Sequence, residues 1–313
     1  MLISPPFGGG RAPVLARNTV ASSQPLATQA GIEALQNGGN AVDAALATAI
    51  TLTVVEPTMN GLGGDGFAIL WDGKKIHGLN ASGRAPAAWT PEYFAGKSAM
   101  DLIGWNTVTV PGMVAGWVEL SKKFGKLPFA QLFKRAIDYA ENGFPVSPVI
   151  ARQWREAIPI LKNQPGFSES FLIDGKAPQT GQIWRYPAQA KTLKEIAATQ
   201  GESFYRGPLA QSMVDFAKST GGCFTMQDLA DNKPDWVEPL AFDYGDYTLL
   251  EIPPNGSGIA AQMALGILQA ANVKQYPANS AQRIHLQIEA MRLAFADAYA
   301  YISDARSTSV PVA

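Results

Sequence analysis

One cysteine and two histidines are all that the 313 residues offer to thiol and imidazole chemistry. A lone Cys223 excludes an intramolecular disulfide and any zinc site built on several thiolates, and it reads as a small buried thiol. His77 and His285 are far apart in the chain with no carboxylate pattern beside them, so no metal and no cofactor are expected. Neither adjoins the glycine pattern of a nucleophile elbow, so both are read as structural or surface residues and a Ser-His-Asp site is not expected. Charge is scarce too, at 16% of residues, where roughly a quarter is usual in soluble domains. With 47% hydrophobic residues, this implies either a thick interior or a surface partly covered by a second chain. Twenty-five basic and 26 acidic side chains leave a net charge of −1, which gives no electrostatic footprint for nucleic acid or an anionic membrane. Long hydrophobic runs are missing. The longest, residues 44–55, is interrupted by Thr48, Thr51 and Thr53 and falls short of the roughly 20 residues that span a bilayer. Residues 1–17 hold Gly8-Gly9-Gly10 and three prolines where an export signal needs an apolar core, so the cytoplasm is the expected compartment, or the periplasm if a leader has been removed.

What the chain does have is a dense run of glycine. Gly61-Leu62-Gly63-Gly64-Asp65-Gly66 matches the dinucleotide-binding spacing G-x-G-x-x-G. Residues 26–37 read as a helix stopped by Gly38-Gly39, and Asn40 with Asp43 forms the capping pattern of a second helix through Val55 that is apolar on nearly every face. Phe67 to Trp71 reads as a strand, Asp72-Gly73 as a turn, and 75–79 as its partner in a hairpin. The glycines therefore follow a helix and precede a strand, the reverse of the order that aims helix amides at a pyrophosphate, which excludes the nucleotide reading. Close packing of the turn against the apolar helix is the expected reason for the glycines.

Beyond Pro91 helices are expected near 112–123, 129–142, 149–161, 188–199 and 208–219, then a strand at 247–252. The segment Asn255-Gly256-Ser257-Gly258 opens a further helix through Leu268. Ile284, Ile288, Met291, Phe295, Ala298, Tyr299 and Ile302 lay an apolar stripe along a last helix from about Ala281 to Ile302, on which Glu289 and Arg292 form a solvated i, i+3 pair. Trp105 and Trp117 read as core or interface. Strands at both ends of a helical middle suggest one layered α/β or α+β domain over residues 1–313. By residue type alone there is no complete active site.

Several segments in order resemble the gamma-glutamyltransferase family: Gly38-Gly39-Asn40-Ala41-Val42-Asp43-Ala44-Ala45, Val54-Val55-Glu56-Pro57, the glycine run with Phe67, Val110-Pro111-Gly112, Gly143-Phe144-Pro145-Val146, Phe204-Tyr205-Arg206-Gly207, Pro253-Pro254-Asn255-Gly256-Ser257-Gly258, and the stretch from Glu289 to Asp297. The resemblance implies an N-terminal nucleophile hydrolase with a four-layer αββα sandwich, made by one self-cleavage into a large and a small subunit. The small subunit would begin with a threonine whose hydroxyl attacks an amide while its own α-amino group acts as base, so no histidine is needed. That threonine falls shortly after the matched segment, which ends here at Val310-Pro311-Val312-Ala313. No catalytic residue is therefore expected in this chain, and its partner is the small subunit of the same precursor. A dimer of heterodimers is left open.

One departure concerns substrate. Members that act on gamma-glutamyl compounds carry R-E-T-A-P after the hairpin, the arginine clamping the α-carboxylate. Here the stretch is Ala81-Ser82-Gly83-Arg84-Ala85-Pro86, which puts Ser82 at the arginine's position and Arg84 two residues on. On a strand that shift keeps the face and moves the charge by about 6 to 7 Å. Ser82 and Arg84 are thus the candidate substrate-binding residues, for a small amide with an acid-bearing acyl group, as in oxamate amidohydrolases or glutaryl and cephalosporin acylases. A gamma-glutamyltransferase or glutathione hydrolase is the alternative, and a non-catalytic member lacking the threonine is the third reading.

Overall fold

The computed structural model describes residues 14–304 and 309–312. Residues 1–13, most of the stretch read above for an export signal, lie outside the described residues, as does the terminal Ala313. Helix α1 (Pro25–Gln36) starts on Gln24, whose side chain accepts from the Leu26 and Ala27 amides, and the chain leaves it through Gly38 at φ +87°. Helix α2 (Ala41–Val55) carries the expected capping box: Asn40 accepts from Val42 and Asp43 N–H, and Asp43 accepts from Asn40 N–H at 2.9 Å. Its interruptions are neutralised locally. The hydroxyls of Thr48, Thr51 and Thr53 donate to helix carbonyls at 2.7–2.8 Å, so an apolar helix can be buried on nearly all sides without orphaned oxygens.

Asp43 also ties α2 to a distant loop. Fully buried, it accepts from the amides of Lys126 and Leu127 at 3.0 and 3.3 Å. Asp43→Ala leaves three backbone donors unsatisfied in the interior and is expected to cost about 3 kcal/mol, read as a lowered denaturation midpoint at unchanged slope.

Strands β1 (Gly66–Trp71) and β2 (Ile76–Ala81) form the expected hairpin, with Gly66 opposite Ala81 and Trp71 opposite Ile76. Asp72 closes the turn, accepting from Lys74 and Lys75 N–H at 2.8 and 2.9 Å, while its other oxygen lies 2.7 Å from His77 Nε2. The Lys75 amide, then His77, then the Lys74 amide hold its carboxyl well below the ordinary carboxylate range. A depressed carboxyl stabilises fully above its unfolded value, about 3.9, and loses that contribution as pH falls through the folded value. Asp72→Asn is therefore expected to lower stability at pH 7, to begin converging on the wild type only as pH falls below about 4, and to meet it only below the depressed folded value, which denaturant titrations along a descending pH series would show. His77 is thereby structural, its ring edge-on to Phe124 and Trp236, and His285 is exposed.

The helical middle comprises α3 (Met113–Phe124), a 3-10 turn (Phe129–Phe133) running into α4 (Lys134–Asn142), the short paired strands β3 (Phe144–Pro145) and β4 (Ile183–Trp184), and helices α5 (Pro148–Leu161), α6 (Phe167–Phe171), α7 (Pro187–Thr199), α8 (Glu202–Arg206), α9 (Pro208–Thr220) and α10 (Met226–Ala230). Strand β5 (Asp235–Val237) then adds antiparallel to β2, β6 (Leu240–Tyr244) pairs with β7 (Tyr247–Glu251), and α11 (Ile259–Ala270) packs on α12 (Ala281–Tyr301). The main core joins α2, α3, α4, α5 and α7 around Ile50, Trp117, Phe133, Trp154 and Leu193. One face of the β1-β2-β5 sheet lies on α3, where Gly116 lets the helix approach: a Cβ there would stand 2.7 Å from that of Ala81. The opposite face carries Phe67, Ile69 and Trp71, all exposed, and β1 is an unpaired edge among the described residues.

Several expectations change. The helix read at 129–142 is split by the 3-10 turn, and the one read from Asn255 begins at Ile259 because 255–258 is a turn. Cys223 is half-buried rather than buried. Trp117 sits in the core as expected, and Trp105 packs between Phe216 and Phe224 with its Nε1 donating to Thr220. On α12 the large apolar residues face outward. Ala290, Ala294 and Ala298 are the buried face, while Ile284, Ile288, Met291, Phe295 and Tyr299 are exposed, because the narrow alanine ridge is what lets α11 approach. Glu289 and Arg292 pair at 2.8 Å on the surface.

Candidate functional site

The glycine run lies between α2 and β1, as the sequence order requires. The carbonyl of Gly64 accepts from Gly112 and Met113 N–H at 3.1 and 3.2 Å, so it occupies the first amides of α3 that a phosphate would need. Close packing explains these glycines only in part. A Cβ would meet Met113 at Gly66 and the Gly61 carbonyl at Gly64, but would meet nothing within 4 Å at Gly61 or Gly63.

Beside this loop the end of β2 turns into Ser82 and Arg84. The strand stops at Ala81, and Gly83 takes φ +79°, so the face-preserving two-residue shift expected for Arg84 does not apply. The physical reason is a backbone crossing: Val110 N–H donates to the Arg84 carbonyl at 2.8 Å, and a Cβ on Gly83 would stand 1.8 Å from the Val110 oxygen. Both candidate residues nevertheless line one cleft. It measures about 300 Å³ and is bordered by Asn80, Ser82, Arg84, Lys233, Asp235, Asn255 and Asp304. The P-P-N-G-S-G turn thus comes to the site. Asn80 and Asn255 bond to each other at 2.8 Å, and Asn255 Nδ2 donates to Ser82 Oγ at 3.0 Å.

Arg84 is about 41% exposed in its side chain, its terminal nitrogen is 3.9 Å from Asp235 Oδ1, beyond hydrogen-bond reach, and its Nε has no hydrogen-bond partner among the described residues. Its donors are therefore little used. Among the described residues the formal charges bordering the cleft balance, Arg84 and Lys233 against Asp235 and Asp304. Directed hydrogen bonds, and not a net field, must decide which ligand enters. Neither histidine borders the cleft, and among the described residues no hydrogen bond joins Ser82 Oγ to a carboxylate, lysine or imidazole. Among the described residues no group of three His, Cys, Asp or Glu side chains is placed to hold a metal ion, and no helix is long and apolar enough to cross a membrane. Asn80, Lys233 and Asp235 carry no local motif that would have marked them, and Asn255 was visible only as part of a glycine turn.

Residues 27–313 match the profile of the family described as Gamma-glutamyltranspeptidase. The chain belongs to that family. Among gamma-glutamyltranspeptidase relatives, the oxamate amidohydrolase proenzyme of Klebsiella pneumoniae subsp. pneumoniae is 38% identical over 295 residues, covering 92% of this chain and 55% of that protein. The glutathione hydrolase-like YwrD proenzyme of Bacillus subtilis strain 168 is 36% identical over 299 residues, covering 95% and 57%. The crystal structure of cephalosporin acylase from Bacillus halodurans superposes with a TM-score of 0.87 at 44% identity, covering 98% of this chain and 60% of that one. The α+β architecture described above is thus the one found in structures of the gamma-glutamyltranspeptidase family, and the chain spans little more than half the length of the curated relatives it matches.

Proposed function

We propose that this chain is the large-subunit part of an N-terminal-threonine amidohydrolase that cleaves a small amide whose acyl group bears an acid. The observation that carries the substrate reading is the convergence of Ser82 and Arg84 on one cleft, with the arginine donors almost unengaged. Similarity to an oxamate amidohydrolase and to a cephalosporin acylase supports it. The cleft has hydrogen-bond donors for an acid but no base-activated nucleophile, which fits a reactive hydroxyl brought by a small subunit. Its threonine Oγ would attack the amide carbon, the α-amino group carrying the proton to the leaving amine, and water would then release the acid from the ester.

The small subunit also has surfaces suited to it. The edge of β1 that is unpaired among the described residues, the exposed Phe67, Ile69 and Trp71, and the exposed apolar stripe on α12 are surfaces that a partner would cover, and a second sheet laid on the first would complete a four-layer sandwich. Both curated relatives are named proenzymes, which supports a partner cut from the same precursor. A gamma-glutamyl substrate is the second reading, favoured by the likeness to the YwrD protein.

The test is to express the full precursor, sequence the new N-terminus of any small fragment, and assay oxamate, glutaryl p-nitroanilide and gamma-glutamyl p-nitroanilide. Turnover of oxamate or the glutaryl anilide well above the gamma-glutamyl one supports the proposal. Preference for the gamma-glutamyl anilide selects the second reading, and a fragment that does not begin with threonine removes the mechanism.

A further inference from the structure

The hydrogen bonds around Ser82 form a ring whose polarity can be read from a single unambiguous donor. The backbone N–H of Ser82 points to Asn80 Oδ1 at 3.0 Å, and since a peptide nitrogen only donates, this fixes which end of the Asn80 amide is oxygen. Asn80 must then turn its Nδ2 toward Asn255, where it meets Oδ1 at 2.8 Å. That in turn fixes the Asn255 amide, whose Nδ2 faces Ser82 Oγ at 3.0 Å. The hydroxyl is therefore an acceptor toward Asn255. Among the described residues its own proton has only long alternatives, 3.3 Å to Asn255 Oδ1, which also accepts from Asn80, and 3.5 Å to the Gly83 carbonyl. Ordinary O–H···O bonds fall at about 2.5–3.0 Å, so the proton is available to a ligand oxygen in the cleft.

We propose that Asn255 is a positioning residue: by donating to Ser82 Oγ it commits the hydroxyl to donate into the cleft, beside Arg84, and so sets the preference for an acid-bearing acyl group. This rests on the substrate reading above. Among the described residues the formal charges of the cleft balance, so donors held in the right direction carry much of the recognition of an anion. The Asn255 side chain is held in turn by Asn80 on β2, so the relay crosses from the first hairpin to the turn after β7, positions 175 residues apart in the chain.

The experiment compares glutaryl and pentanoyl p-nitroanilides, equal in carbon number and differing in the terminal carboxylate, on the processed protein from the full precursor. Ser82→Ala, Asn255→Ala, the double variant and Asn255→Asp are measured beside the wild type. Asn255→Asp preserves the shape and reverses the polarity, since a carboxylate would capture the Ser82 proton. Each single variant is expected to lower the glutaryl-to-pentanoyl ratio of kcat/KM about tenfold, chiefly through KM for the glutaryl substrate, and the double variant to fall no further than either single one. Asn255→Asp should lose the preference even if Asn255→Ala matures poorly. If Ser82→Ala loses the preference while both Asn255 variants keep it, the positioning role is wrong and the substrate reading stands. A preference untouched by Ser82→Ala overturns the positioning role and leaves the substrate reading standing, whereas a wild type that does not prefer the glutaryl anilide overturns the positioning role and, if oxamate is not turned over either, the substrate reading with it.

Discussion

Replacing Gly83 by alanine is expected to destabilise the protein by about 4 kcal/mol or more and to abolish accumulation of folded precursor. Two costs combine. A left-handed backbone at φ +79° carries a penalty of roughly 1–2 kcal/mol for a residue with a Cβ. The new methyl would then stand 1.8 Å from the Val110 oxygen and 3.1 Å from Gly112 N, both backbone atoms that no rotamer change can move, and overpacking of this kind adds roughly 1–3 kcal/mol or more. The neighbour across the crossing is equally tight, since a Cβ on Gly112 would stand 2.3 Å from the Ala81 oxygen. With total stabilities of about 5–15 kcal/mol, such a loss removes much of the margin. Gly73 supplies the control. It has φ +95° but nothing within 4 Å of its Cβ position, so Gly73→Ala is expected to show the conformational cost alone, about 1–2 kcal/mol. Soluble yield and denaturant midpoints of the two variants compare them directly, and equal losses would refute the close crossing as the source of the larger effect.

That crossing also shows which features were legible in the sequence. Caps and turns depend on a few adjacent residues, so Asn40 with Asp43 and the Asp72-Gly73 turn could be placed before any coordinates. Strand β5 could not, because Asp235–Val237 is only three residues long and is fixed by pairing with β2 far upstream. The stripe on α12 was read correctly for Ile284, Ile288, Met291, Phe295 and Tyr299, which share one side of the helix, but it also took in Ala298, which is buried, and Ile302, which lies past the last turn. Periodicity reports which residues lie together and not which side meets the rest of the chain, and the alanines that do meet it carry too little hydrophobic contrast to announce themselves. The family resemblance drawn from ordered segments agrees with the profile match over residues 27–313. Ser82 and Arg84 were singled out by a departure from that pattern, yet their geometry was misjudged: a strand was assumed where Gly83 bends the chain. The amide ring that holds Ser82 was out of reach of sequence, because Asn80 and Asn255 acquire meaning only when the turn after β7 lies against the end of β2.

Arg84→Ala is expected to lower kcat/KM for an acid-bearing acyl substrate about 100-fold while the precursor still matures and its subunits associate. A hydrogen bond to a charged partner contributes about 1.5–3 kcal/mol, and 2.7 kcal/mol corresponds to about two decades in rate. The fold has little stake in this side chain. The Arg84 carbonyl, which any residue supplies, keeps its bond from Val110, and the guanidinium contact with the exposed Asp235 at 3.9 Å falls in the class of surface pairs worth roughly 0–1 kcal/mol. Arg84→Lys separates charge from shape, because an ammonium restores the positive charge without the planar fork, and it should recover only about tenfold. The measurement is kcat/KM for glutaryl and pentanoyl anilides in all three proteins, with maturation followed by the appearance of two fragments. Equal losses on both substrates, or an alanine variant that no longer matures, would reassign Arg84 from recognising the ligand to supporting the scaffold.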